Sequence, residues 1–211
     1  MGRVQERAQL TRTAIIKGAA EVFVERGYAG ASLDLIVDRA AVTRGGMYFH
    51  FKSKEKLANA VIKEQHRIAR GDAEKAMAEA NSGFEAMILM SSCLARQLTS
   101  DVVVRAGIRL TTDGSARELS AIEPYRDWMR TFENLTRLAI EQGDFQPSAD
   151  PIKIARFIVP AYTGVQLVSE AISQREDLFE RVREMWELLL PGLLAPERYA
   201  ENERLLRHLK K

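Results

Sequence analysis

VTRGGMYFHFKSKEKL, residues 42–57, sets two glycines, Gly45 and Gly46, ahead of a run of aromatic residues and then Lys52, Lys54 and Lys56. A glycine costs a helix interior about 0.8–1 kcal/mol relative to alanine, so a helix built for packing alone does not open on a pair of them. Positions without a side chain suit a backbone that must come close to a bulky partner. Thr43 stands where an N-cap belongs, and Ser53, with Glu55 close behind, marks the start of another helix. The stretch reads as a short helix entered through Thr43, then a turn, then the head of a long helix.

Upstream, Ile15, Ala19, Val22, Phe23 and Arg26 recur at helical spacing, so residues 7–26 form an amphipathic helix that Gly27 stops. Ser32 then caps a compact helix through Ala40, with Asp34 in its first turn and Leu33, Ile36 and Val37 turned inward. Ala41 and Val42 make a tight turn. A long helix, a short helix, a turn and a third short helix match a helix-turn-helix DNA reader in size and order. The bland alternative is a three-helix bundle with solvated charges, and the paired glycines weigh against it. Charge agrees: the chain is +2 overall, yet residues 1–54 carry nine Lys or Arg against five acids.

Helical periodicity continues through about residues 53–80, 84–99, 102–110, 123–142, 151–173 and 177–194, with a polar tail helix over 197–208. The DGSAREL segment at 113–119 and GDFQPSADP at 143–151 interrupt it. No alternating strand pattern recurs, so the fold is expected to be all-α. At 211 residues the chain can bury a sizeable core without disulfides, and the single Cys93 neither pairs nor completes a metal site. No apolar run approaches the roughly 18 residues of a membrane span, and the charged N-terminus lacks a signal-peptide core, which points to the cytoplasm and away from membranes. His50, His66 and His208 are scattered, and no HExxH, GxSxG or phosphate loop appears. Neither an enzyme, a metal nor a cofactor is expected.

On the helix-turn-helix reading each residue of the opening stretch has a task. Thr43 caps the recognition helix and meets a phosphate; Arg44, at its exposed start, reaches guanine O6 and N7. Gly45 and Gly46 let the helix sink into the groove, Tyr48 shares the face of Arg44, and His50 approaches the backbone. Phe49 and Phe51 are assigned to the core as anchors. Lys54, Arg12 and Ser32 complete the DNA-binding set as flanking contacts.

The run ASLDLIVDRAAVTRGGMYFHFKSKEKLANAV, residues 31–61, resembles the DNA-binding domain of TetR-family transcriptional regulators. VVVRAGIRLTTD (102–113), PYRDWMR (124–130) and EMWELLLPGL (184–193) resemble the γ-butyrolactone receptor branch of that family. The resemblance implies a DNA-binding domain over residues 1–53 and a helical ligand-binding and dimerisation domain over 54–211. It implies a homodimeric repressor on a pseudo-palindromic double-stranded operator, released by a small-molecule inducer, with secondary metabolism or antibiotic production under its control. A butenolide, furan, drug or fatty acyl ligand, or a ligand-blind pseudo-receptor, stands as the alternative.

In that branch a tryptophan at the place of Trp128 lines the ligand site, and the last two long helices pair with their copies. Gln65, Tyr162 and Thr163 are candidates for polar contacts to a lactone, while Met87, Met90, Leu94, Phe132, Phe157 and Val168 are candidates for its apolar walls. Ile154, Ile158, Tyr162, Leu178, Val182, Met185, Trp186, Leu189 and Leu193 form stripes that serve either a partner copy or the monomer's own core. Arg105 and Arg109, one turn apart, are expected to tie sensor helices to the reader through salt bridges.

Overall fold

The computed structural model describes residues 2–114, 119 and 122–210, the side chains of Arg3 and Val4 excepted. Its helices are α1 (Gly2–Gly30), α2 (Leu33–Ala40), α3 (Arg44–His50), α4 (Lys54–Glu79), α5 (Gly83–Ser100), α6 (Val102–Thr112), α7 (Ile122–Glu141), α8 (Pro151–Ser173) and α9 (Leu178–Leu193). Short turns at Pro196–Arg198, Tyr199–Asn202 and Glu203–His208 follow. Among the described residues no strand forms, and an isolated antiparallel bridge joins Phe145 to Leu194. The chain is all-α, as expected. Residues 115–118 of the expected DGSAREL break lie outside the described residues. No single described helix is long and apolar enough to cross a membrane.

Helix starts fall where short polar side chains satisfy the orphan amides of a first turn. Ser32 Oγ accepts from the Leu35 amide at 3.3 Å, Thr43 Oγ1 from Gly46 at 3.1 Å, and Ser53 Oγ from Lys56 at 3.2 Å. Asp101 and Asp150 each accept from two amides at the heads of α6 and α8. Such caps contribute about 1 kcal/mol apiece. Gly27, expected to end the first helix, instead breaks it: φ is 69° and ψ 177°, and the helix resumes through Gly30. That φ strains any residue with a side chain, which is why glycine stands there.

The helices gather into two compact units. One comprises Met1–Ala69 with Ser100–Ala121, the other Arg70–Thr99 with Ile122–Lys211. The compact units part within α4, and α6 packs with the amino-terminal one. Packing explains it: Leu57, Val61 and Ile62 of α4 and Ala106 and Leu110 of α6 complete the core begun by Ile15, Phe23, Ile36 and Met47. Gly107 lets α6 close on α4, because a Cβ there would lie 2.3 Å from the Cβ of Gln65. A bidentate pair, Arg39 to Glu25 at 2.6 and 2.9 Å, joins α2 to α1.

In the second unit Phe84 packs on Phe145 and Trp186 with ring centroids 5.4 and 5.9 Å apart. Ser91 of α5 is a polar hub inside that core. Its carbonyl accepts from Tyr162 Oη at 2.9 Å and its Oγ from Trp186 Nε1 at 3.2 Å. Ile158, Tyr162, Leu178, Val182, Met185, Trp186 and Leu193 are all buried within the monomer, so those stripes serve its own core. Ile154 and Leu189 remain half-buried.

Candidate functional site

α3 is rooted by a residue that sequence reasoning passed over. Met47 is fully buried, and Phe51, in the cap position behind the helix, is buried as well. Phe49, expected beside Phe51 in the core, is instead 74% exposed. Helical geometry forces the exchange, since Met47 and Phe49 lie about 200° apart around the axis and cannot both face inward. Tyr48 is 47% exposed, as a contact residue requires.

The glycine pair divides in role. A Cβ on Gly45 would meet nothing within 4 Å, so its face is bare backbone. One on Gly46 would sit 3.2 Å from Thr43 Oγ1, so this glycine also clears space for the cap. Arg44 rests on Asp34 at 3.0 Å, and both side chains are largely exposed, which leaves the guanidinium exchangeable with an outside acceptor. His50 stacks edge-on against Phe49, centroids 5.1 Å apart. Arg12 lays its guanidinium over the Phe51 ring at 5.5 Å and so braces the end of α3. Ser32, exposed, is occupied as the α2 cap.

Lys54 has a task within the fold. Its ammonium donates to the carbonyls of Tyr28 and Ala31, both at 2.9 Å, and lies 4.6 Å from the Tyr28 ring centroid. It therefore holds the α1–α2 connection, a role the sequence did not suggest. The same connection is gripped from α6: Tyr28 N–H donates to Asp113 Oδ2 at 3.2 Å, and Arg109 donates to the carbonyl of Val24. Arg109 thus ties α6 to α1, two helices of the same unit, through a main-chain oxygen.

In the second unit, Met87, Met90, Phe132 and Tyr162 are buried and Trp128 and Thr163 half-buried. Two of the polar candidates are already engaged. Tyr162 Oη donates to Ser91, with burial pushing its phenol pKa upward, and Thr163 Oγ1 turns back to the Val159 carbonyl at 2.9 Å. Arg70 spreads over Trp128 at 6.0 Å and is itself held by Thr131 at 3.1 Å, Glu74 at 3.2 Å and Asp127 at 3.4 Å. Gln65 is buried in the amino-terminal unit, its stem against Gly107. Leu94 is half-buried, but Phe157 and Val168, expected to wall a pocket, are exposed on the outer face of α8. Sequence reasoning missed Gln166, one turn beyond Tyr162: it is buried, its Oε1 accepts from Arg175 at 3.3 Å, and its Nε2 has no hydrogen-bond partner among the described residues. A polar residue inside an apolar stripe was the available signal.

Comparison with known proteins bears on both units. The family of bacterial regulatory proteins called tetR matches residues 15–61, and the tetracyclin repressor-like C-terminal domain matches residues 81–195. The A-factor receptor protein of Streptomyces griseus is 37% identical over 192 residues, which span 91% of this chain and 67% of that one. A solved gamma-butyrolactone receptor, an ArpA-like protein, superposes with a TM-score of 0.83 at 32% identity, covering 96% of this chain and 98% of that one. CprB from Streptomyces coelicolor, solved in complex with its biological operator sequence, gives 0.80 at 33% identity, with 96% and 98% covered.

Proposed function

Because the chain belongs to the tetR family of bacterial regulatory proteins, we propose that it is a homodimeric repressor of antibiotic production, released from a pseudo-palindromic operator by a γ-butyrolactone. The observation that carries the reading is α3: a capped helix rooted by buried Met47 that presents Arg44, bare Gly45 and Tyr48 outward. Arg44 exchanges Asp34 for a guanine edge, and Tyr48 meets a neighbouring base or phosphate. Thr43 supplies the cap and offers its hydroxyl to the backbone. Lys54 and Arg12 are positioning residues in this reading.

The second unit receives the inducer. Trp128 gives a lactone a flat wall, Met87, Met90 and Phe132 give it apolar surroundings, and the Gln166 amide offers a buried donor to a carbonyl. α4 belongs to both units, with its boundary between Ala69 and Arg70, so it carries the response. A shift of α4 alters the separation of two paired readers from the roughly 34–36 Å that successive major grooves demand. A coupling of about 1–3 kcal/mol weakens operator binding some 5- to 150-fold, and operator weakens inducer binding by the same factor. Dimerisation uses the outer face of α8 and α9, where Phe157, Val168, Ile172 and Leu188 are exposed. The protein works in the cytoplasm, where its operator is.

Retardation of the DNA flanking its gene tests the reading. The protein is expected to retard a pseudo-palindromic duplex and to release it when a γ-butyrolactone is added. Tyr48→Ala is expected to abolish retardation with helicity unchanged, and Trp128→Ala to keep retardation in the presence of lactone. Release by a butenolide or an acyl compound alone would replace the ligand and keep the operator half; failure to retard any such duplex at low salt would overturn both.

A further inference from the structure

We propose that Phe49 is a specificity residue that reads thymine, its ring meeting the C5-methyl group of one thymine in each half-site. The proposal rests on the operator reading above and adds a base to it. At about 100° per residue around α3, Gly45 and Phe49 fall some 160° and 200° from the buried Met47, so they flank the outermost line of the helix. Arg44 and Tyr48 lie to one side of that line. A helix docked by this face brings Phe49 into the groove ahead of the residues that form hydrogen bonds. Gly45, one turn earlier on the same line with open space before it, lets the backbone follow.

A phenyl ring has neither donor nor acceptor. Pressed against a polar base edge it strips water from groups whose hydrogen bonds it cannot replace. The major groove offers a distinctive apolar feature, the thymine methyl, and this is where such a ring is accommodated favourably. The surroundings of Phe49 favour an apolar contact too. It borders an open cleft of about 700 Å³ whose lining, beside the charged Glu6 and Arg7 at one end, includes Ala8, Leu10 and Thr11, and Leu10 is itself 66% exposed. His50 holds the ring edge-on. Single exposed apolar side chains are ordinary on protein surfaces. This one occupies the crest of a recognition helix, where its chemistry restricts what it can face.

The test uses the full-length protein and a duplex that it enriches from a randomised library. Each thymine of that duplex is replaced, symmetrically in both half-sites, by deoxyuridine, which removes the methyl group and nothing else. Each lost methyl contact is expected to cost about fourfold, hence about sixteenfold for the pair, at one thymine position. Phe49→Ala is expected to bind the two duplexes equally at that position, and Phe49→Leu to retain part of the preference. Thermal unfolding checks that both variants fold, which their exposed site favours. The proposal is overturned if no deoxyuridine substitution weakens the parent protein more than twofold, or if Phe49→Ala keeps the same sensitive position. Uniform weakening of all duplexes by Phe49→Ala, the mark of a sugar or backbone contact, overturns it as well. A library from which nothing is enriched overturns the operator reading itself.

Discussion

At Lys54 one ammonium holds two carbonyls 26 and 23 residues upstream while sitting against the Tyr28 ring. The half-buried ammonium is anchored within the protein, and we propose that it acts there as a positioning residue. Lys54→Met is expected to lower operator affinity by loosening the α1–α2 connection while leaving the slope of log affinity against log salt unchanged. Titration of binding against salt checks it, because a lost phosphate contact would make the slope shallower by about 0.9 per protomer. The role was not legible beforehand, since it depends on carbonyls brought near only by the fold. Thr43 and Ser32 were legible, because a cap and the amide it satisfies lie three residues apart. Phe49 was not. Across a helix of seven residues and its cap, with Met47, Tyr48, Phe49 and then Phe51 all aromatic or apolar, periodicity has too few turns to choose which one points inward.

Among the elements, the α8–α9 junction shows how local chemistry ends one helix and starts the next. Asp177 accepts from Ser169 and Ser173, both at 2.6 Å, and from Arg181 at 2.6 Å. Those two hydroxyls first, and Arg181 after them, hold its carboxyl pKa down to about 2, below the ordinary 3.8. A depressed folded-state value means that the stabilisation is complete above about pH 4 and is lost as pH falls towards 2. Asp177→Asn is therefore expected to unfold at a lower temperature than the parent by a margin that is constant from pH 7 to about 4 and narrows towards pH 2; melting curves across that range check it. A margin unchanged at pH 2 would rule out the carboxylate as its source. The bounds of α8 were readable from sequence, 151–173, because Asp150 and Pro151 announce its start. The membership of α6 was not, since Arg109 meets Val24 across 85 positions.

For the whole molecule, the expected dimer rests on what α8 and α9 leave uncovered. Ile172 is 69% and Leu188 83% exposed, in helices whose other faces are already spent on the monomer core. The Ile172→Glu, Leu188→Glu double variant is expected to sediment as a monomer with its helicity intact. Operator affinity should then fall on the order of 10²-fold or more, as two linked half-site contacts become one. A double variant that still sediments as a dimer would move the interface elsewhere. The discontinuity of the amino-terminal unit has a consequence of another kind, for synthesis. Its core includes Ala106 and Leu110, which follow the head of the second unit in the chain. A nascent chain that has released only residues 1–69 lacks those contacts, and at about 5–20 residues per second the missing helix arrives seconds later. The DNA-reading part of the protein is thus begun first and completed only after α5 has been made.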